Sequence, residues 1–511
     1  MMRHEKAELA LRIAAIPFFV WGVCTLFASG LPFAIGFVGA SPGPWGGILD
    51  AFWAGMVILA TSAVPIAVGF CLLRFSLGLA GRLLRSEAAA SEPQEVTPLH
   101  IGTFLLGLYW FTQAAPAVAT VGVTWVLDEA ELGMMGAVGL AWSLLPLYFL
   151  WSPHHLRAFL SALCRTGQGT AGGFLRLLAV GLTLIALNFC FWALLSFSGS
   201  VVSFVDRALR GLQEAEQLLR QSVEGYALTL VLIIGLLLCA GRSAGWLASF
   251  AKLSRDDNPP TTLPDRQGIF RLALLTGGIA LLCHSVGHAA VSIAGPLLRA
   301  QGVQARVLIP ALIFVFAAVL LLALCVLRGS KLAAKLYPEC GDSEERGPEA
   351  FRLILEIAVA VVGLYYACRL LPRCGRIPVA DGLALAFPLL MVAFRGDIAW
   401  WLSPGRQAAA PADIGPRRRA HALVPWLMLL GAYVFLGNVA GAAFWMIGML
   451  TGADVTHWAL LRPAVGWMLT FGAPRLSRLL SYGRLMPKMA AMDKHRWQPS
   501  DDSDETRAGE P

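Results

Sequence analysis

Two histidines four residues apart, in the stretch CHSVGH, have the type and spacing for chemistry: His284 and His288 share one face of a helix. That spacing suits joint binding of a transition metal or one axial position on haem. A metal wants a third or fourth ligand, however. The other histidines fall near the ends of apolar runs (His100, His154, His155, His421), in a loop (His457) or in the termini. The competing reading is a pair of neutral imidazoles that hydrogen-bond between helices or face water.

Glu356 is the one acid inside an apolar run, and it stands four residues from Arg352. It reads either as a surface ion pair with Arg352 or as a buried coupling residue of the kind proton- or sodium-driven transporters use. Arg395 and Asp397 lie where an apolar run ends and read as interfacial. Gln113, Asn188 and Asn438 are uncharged and either bridge helices or line a cavity. Pro32, Pro65, Pro116 and Pro146 put one proline in each of the first four apolar runs, and ASGLP and QAAPA add small residues beside it. Proline frees backbone carbonyls that must then face protein or a wet cavity, and broken helices are one way to build a midplane site.

Several motifs carry nothing further. GQGTAG at 167–172 follows no strand and is an accidental match to the dinucleotide pattern. No Walker-type phosphate loop occurs, and no histidine–acid combination for nucleophilic catalysis stands out, so an enzyme is the weaker expectation. No cofactor is implied. GNVAG at 437–441 fits the close-packing pattern of membrane helices.

The elements that must position these residues follow from composition. With 57% hydrophobic and 14% charged residues in 511, the chain is far from soluble averages and belongs in a bilayer. Spanning hydrocarbon takes about 20 apolar residues. Twelve stretches qualify, at 12–38, 49–73, 100–126, 133–152, 174–204, 224–241, 268–297, 306–327, 351–371, 378–395, 422–450 and 458–474. The runs are unbroken and Leu/Ala-rich, unlike the alternation of a membrane β-barrel. The expected fold is an all-α integral membrane bundle of about 12 transmembrane helices in six hairpins. Residues 1–11 would precede the membrane domain (12–475), and 476–511 would form a tail, disordered toward its end. The first span is expected to be an uncleaved signal-anchor.

Three apolar runs end alike, in Cys71-Arg74, Cys239-Arg242 and Cys325-Arg328, which sets a hairpin unit of about 84 residues. Each arginine can snorkel and end its span, leaving a short interfacial helix after each even-numbered span. Cys368 and Cys374 flank a short turn and could close a disulfide on an oxidising face.

Most of the 40 Lys and Arg fall at the N-terminus, after even-numbered spans and in the tail. The positive-inside rule therefore puts both termini in the cytoplasm of an inner (plasma) membrane protein, with its basic face on anionic headgroups and no nucleic-acid partner. Twelve spans with short loops resemble secondary transporters in layout alone. The leading functional expectation is a permease-like protein for a small uncharged or amphipathic solute. The alternatives are a membrane scaffold with protein partners, or a metal or haem redox protein built on His284 and His288. On this topology a reporter fused after Leu212 should read outside the cytoplasm; a cytoplasmic signal there would break the span count.

Overall fold

The computed structural model describes residues 3–32, 45–88, 98–126, 144–151, 154–163, 173–209, 216–251, 265–298, 305–337, 348–371, 378–403, 416–451 and 460–482. Every element within them is helical. In chain order they are α1 (Arg3–Thr25), α2 (Trp45–Ala88), α3 (Pro98–Val126), α4 (144–151), α5 (His154–Leu163), α6 (Gly173–Leu209), α7 (Glu216–Leu238) and α8 (Ala240–Phe250). There follow α9 (Arg266–Leu298), α10 (Ala305–Leu336), α11 (Pro348–Leu370), α12 (Pro378–Ala393), α13 (Arg395–Leu402), α14 (Pro416–Leu436), α15 (Val439–Thr451) and α16 (Leu461–Tyr482). Leu- and Ala-rich runs favour helix by propensity, and in lipid a helix alone satisfies its backbone within one segment. The starts are also written locally. Four helices open on proline, whose missing N–H costs nothing in a first turn. Asp265 caps α9 by accepting a hydrogen bond from the Gly268 N–H at 2.7 Å.

Six helices close a ring in the order α1, α3, α6, α14, α11, α9 and back to α1, each packed on its neighbours. The remaining long helices back this ring: α2 packs on α1 and α3, α10 on α9, α12 on α11 and α9, α16 on α14, and α7 with α8 on α6. The burial of each layer follows. The apolar windows of ring helices α1, α6, α9, α11 and α14 are 39–50% buried, against 28% for α2 and 22% for α10. Phe316 and Leu327 of α10 are 70% and 72% exposed. Such an outward apolar face has no place in water, whereas lipid tails match it.

The tightest seam joins α14 to α16. A Cβ on Gly431 would lie 2.5 Å from the Thr470 backbone nitrogen, and one on Gly466 would collide with the backbone of Phe435. The Thr470 hydroxyl donates to the Gly466 carbonyl at 2.9 Å within the same seam. Small residues here let two backbones touch, which is how membrane helices gain dispersion contact without a hydrophobic drive between them. GNVAG does something different. Gly437 and Asn438 form the turn between α14 and α15, and Gly437 packs against Phe189.

This is a membrane protein by its helices: among the described residues seven are long and apolar enough to cross a bilayer, and nine if each of two bent pairs counts once. They correspond to the expected spans 1, 2, 5, 7, 8, 9 and 11, with 6 and 10 as the bent pairs. Much of the expected third and fourth spans lies outside the described residues. The twelfth, 458–474, overlaps α16, a helix that also carries Arg475 and Arg478 beyond the expected span and is correspondingly less apolar.

The Cys-x-x-Arg endings need correction as a uniform device. Short helices turn aside after α7, by 71° into α8, and after α12, by 70° into α13. After Cys71 and Cys325, by contrast, α2 and α10 run on to Ala88 and Leu336. Pro65 likewise lies inside continuous α2, and Pro116 inside α3.

If the α14–α16 seam holds the bundle, Gly431→Val should lower the melting temperature of the detergent-purified protein, costing about 1–3 kcal/mol of overpacking. Gly235→Ala, at a helical site with nothing within 4 Å, should be neutral or stabilising. Equal effects of the two would show that the seam is not tight.

Candidate functional site

A cavity of about 1080 Å³ lies inside the ring, and all six ring helices contribute to its wall. That volume is at the upper end of ligand sites, roughly 300–1,000 Å³. On α1 the wall runs from Ile13 to Ser29 and on α9 from Leu272 to His288, about 24 Å at 1.5 Å per residue. It is a long slot rather than a round pocket. α1 and α9 run the same way: Gly277 faces Ile16, and Leu281 clusters with Cys24.

Local sequence explains how α1 opens toward it. Pro17 has no N–H for the Ile13 carbonyl, and both residues line the slot. Further on, α1 widens into a π-helical turn, Leu26–Gly30, in which the Leu31 N–H reaches back to the Leu26 carbonyl. Pro32, which can donate nothing to the preceding turn, follows at once. Thr25, Ala28 and Ser29 of this stretch line the cavity, in keeping with the placing of π turns at functional sites.

The two ends of the slot differ. One end is apolar, with Ile13, Ile16, Val20, Leu272 and Ala273. The other carries His288, Arg369, Asn438 and Arg462, and Gly287 of α9 faces Leu370 of α11 at that level. Between them runs an aromatic girdle. Trp21 and Tyr109 have ring centroids 5.7 Å apart, Phe189 meets Tyr433 at 5.1 Å, and Tyr433 meets Tyr365 at 6.0 Å. Tyr365 meets Tyr366 at 5.1 Å, and Tyr366 meets His284 at 6.0 Å. Aromatic walls of this kind give apolar contact with polar handles at their tips.

Arg462 fixes the polar end. Its guanidinium donates to the Arg369 carbonyl at 2.9 Å, in the last turn of α11, and to Asn438 Oδ1 at 3.3 Å. The Asn438 amide donates in turn to the Val434 carbonyl at 2.7 Å. The Arg369 side chain is exposed within the slot. Among the described residues no Asp or Glu lines the cavity.

The structure thus places Gln113, Asn438, His284 and His288 in the lining of one cavity and leaves other sequence candidates apart. Asn188 accepts a hydrogen bond from Trp110 Nε1 at 3.0 Å, and Trp110 stacks on Phe191 at 4.3 Å. It locks α3 to α6. The Pro116 side chain and Cys374 lie outside the described residues, while Cys368 is buried on α11. Near His284 and His288 stands Phe314, about 6 Å from each ring; among the described residues no group of three His, Cys, Asp or Glu side chains is placed to hold a metal.

Glu356 sits away from the cavity and meets Arg395, with Oε1 3.6 Å from Nε. Arg395, expected at an interface, is instead buried at 5% exposure and also donates to the Val392 carbonyl at 2.8 Å. The bend from α12 to α13 strips Val392 of its helical partner, and the arginine supplies one.

Sequence reasoning missed Arg12, which opens the first expected span, 12–38. Its guanidinium pairs with Glu8 at 2.6 Å, donates to Ser76 Oγ at 3.0 Å and to the Leu336 carbonyl at 2.8 Å, and lies over the Tyr337 ring at 4.7 Å. Burial pushes the Tyr337 phenol up, partly offset by the Arg12 charge. Gln267 donates to the Tyr337 carbonyl at 2.9 Å, and Arg266 pairs with Glu5. The one signal available was helical register: Glu8 and Arg12 are four apart on the face that continues into Ile16. Arg369 and Arg462 were passed over because each sits at a span edge, where arginine usually snorkels.

No family model, curated protein or solved structure matches the chain significantly.

Removing one partner of the Glu356–Arg395 pair leaves a buried charge. Arg395→Met should therefore cost about 3–5 kcal/mol, and Arg395→Met with Glu356→Leu should recover most of it. A double variant that melts no higher than the single would show the two are uncoupled.

Proposed function

We propose that this protein crosses the inner membrane twelve times as six hairpins with both termini in the cytoplasm, and that it binds or moves a small amphipathic solute through the cavity. The observation that carries this reading is the slot itself: it lies on the axis of a six-helix ring, polar groups turn into it, and the second layer turns apolar faces outward. A bundle that only packed against itself would fill that space with side chains, because unfilled volume forfeits dispersion contact. Antiparallel packing of sequence neighbours supports the hairpins: Gly22 faces Ser62 and Ile66 while Gly69 faces Ala15, and Gly278 faces Leu322 while Gly329 faces Arg271. The cytoplasmic orientation rests on the positive-inside count alone.

The scaffold and redox readings have less behind them. A scaffold draws nothing from a slot of this size, and His284 and His288 turn toward the cavity among aromatic rings. In this reading they serve as hydrogen-bonding groups for the solute.

A solute path must be wet. Single cysteines at Ser29 and Gln113, in a background with the native cysteines replaced, should react with a water-soluble maleimide in intact membranes, and a cysteine at outward-facing Phe316 should not. Protection at both cavity positions would sink the permease-like reading.

A further inference from the structure

The geometry points to the chemistry of the solute: an amphipathic anion, a phosphate or carboxylate head on an apolar chain, with its head at Arg369 and its chain toward Ile13 and Leu272. This rests on the cavity being a solute site. The sequence reading favours an uncharged or amphipathic solute because charge is scarce in the apolar runs, but among the described residues the charged side chains that line the slot are both arginines.

Three observations carry the inference. The first is sign: the Arg369 side chain lines the cavity, and among the described residues no Asp or Glu lines it. A guanidinium presented to a cavity is complemented by an anionic head, which it can meet through charge-assisted hydrogen bonds. Arg462 is engaged with the Arg369 carbonyl and Asn438, so it holds the site's geometry. The Arg369 side chain, exposed within the slot, is the group a ligand would touch.

The second is polarity along the slot. The cationic end also collects Asn438, His288 and Ser29, whereas the far end is Ile13, Ile16, Val20 and Leu272. A small inorganic anion would leave that far half unused, and a neutral chain would leave the arginine unanswered. Only a molecule with both parts matches both ends.

The third is length. The wall extends about 24 Å, far more than a phosphate or a short carboxylate needs. It accommodates an extended chain of about a dozen carbons beyond its head group, and each buried CH₂ adds to the hydrophobic gain.

The test uses the full-length protein in zwitterionic lipid nanodiscs at low salt, with empty nanodiscs as the blank for partitioning. Dodecyl phosphate and dodecanoate are titrated calorimetrically beside dodecanol, dodecyltrimethylammonium and inorganic phosphate. The two anionic amphiphiles should bind saturably and the other three should not. Arg369→Gln should weaken dodecyl phosphate about tenfold or more, as expected for a charge-assisted hydrogen bond, with Arg369→Lys restoring part of it. Ala280→Trp, which intrudes on the slot between its ends, should weaken dodecyl phosphate as well.

Adding an anionic phospholipid to the nanodisc separates two sources of this chemistry: competition would identify a bilayer lipid as the occupant, and its absence a free single-chain anion. Equal binding of dodecanol or the dodecyl cation would overturn the anionic head. Inorganic phosphate binding as tightly as dodecyl phosphate would overturn the chain. An Arg369→Gln variant that binds unchanged would overturn the placement. If no amphiphile binds while cysteines at Ser29 and Gln113 still label, this inference fails and the solute-cavity reading survives; if those cysteines are protected, that reading fails first.

Discussion

The last carbonyls of a helix have no partner within it, and in a bilayer no water is at hand to supply one. Among the described residues, four helix ends meet that constraint with side chains. The C-terminus of α10 is closed by Arg12 and Gln267, that of α11 by Arg462, that of α12 by Arg395, and that of α14 by Asn438. Three of these side chains are cations placed where the helix dipole is negative. Arg12, Gln267 and Arg462 come from a different helix, so those caps also fix how deep two helices sit against one another.

Arg12 shows the effect most fully. A buried guanidinium must satisfy its donors, and here they reach Glu8, Ser76 and the end of α10 at once. α1 stands in the ring between α3 and α9, so fixing its start against α2 and α10 also sets the level at which Pro17 and the π turn meet the cavity. At the opposite end Arg462 ties α16 to α11 and to the α14–α15 turn. The slot lies between two polar clamps, and Arg462 and Asn438 belong both to one clamp and to the wall.

The two-layer plan separates two kinds of apolar residue that look identical in sequence. Leucines of α10 face outward, while those of α6 and α14 pack into a shared core around Leu178, Leu427 and Met428. The ring helices are the ones with small residues and polar groups on one side, since a helix lining a wet slot needs one face unlike the other. Pro17, Gln113, His284 and Tyr365 mark those faces on α1, α3, α9 and α11.

Hydropathy by itself determined that the chain is a helical membrane protein and roughly where most helices lie, because the cost of exposing backbone to lipid leaves no other choice for such long apolar runs. Helical register placed His284 and His288 on one face, and the small-residue stretch before Pro32 marked a real interruption of α1. Which polar residues converge was not legible. Asn188 and Asn438 are alike in the sequence, yet one locks Trp110 and the other lines the cavity, since the difference lies in which helix stands opposite. Glu356 and Arg395 were each read against near neighbours in the chain, and their pairing between α11 and the start of α13 is a property of the packed helices alone. Helix-forming tendency is local and is written in each segment, whereas the slot and its aromatic girdle arise from six segments brought together by packing.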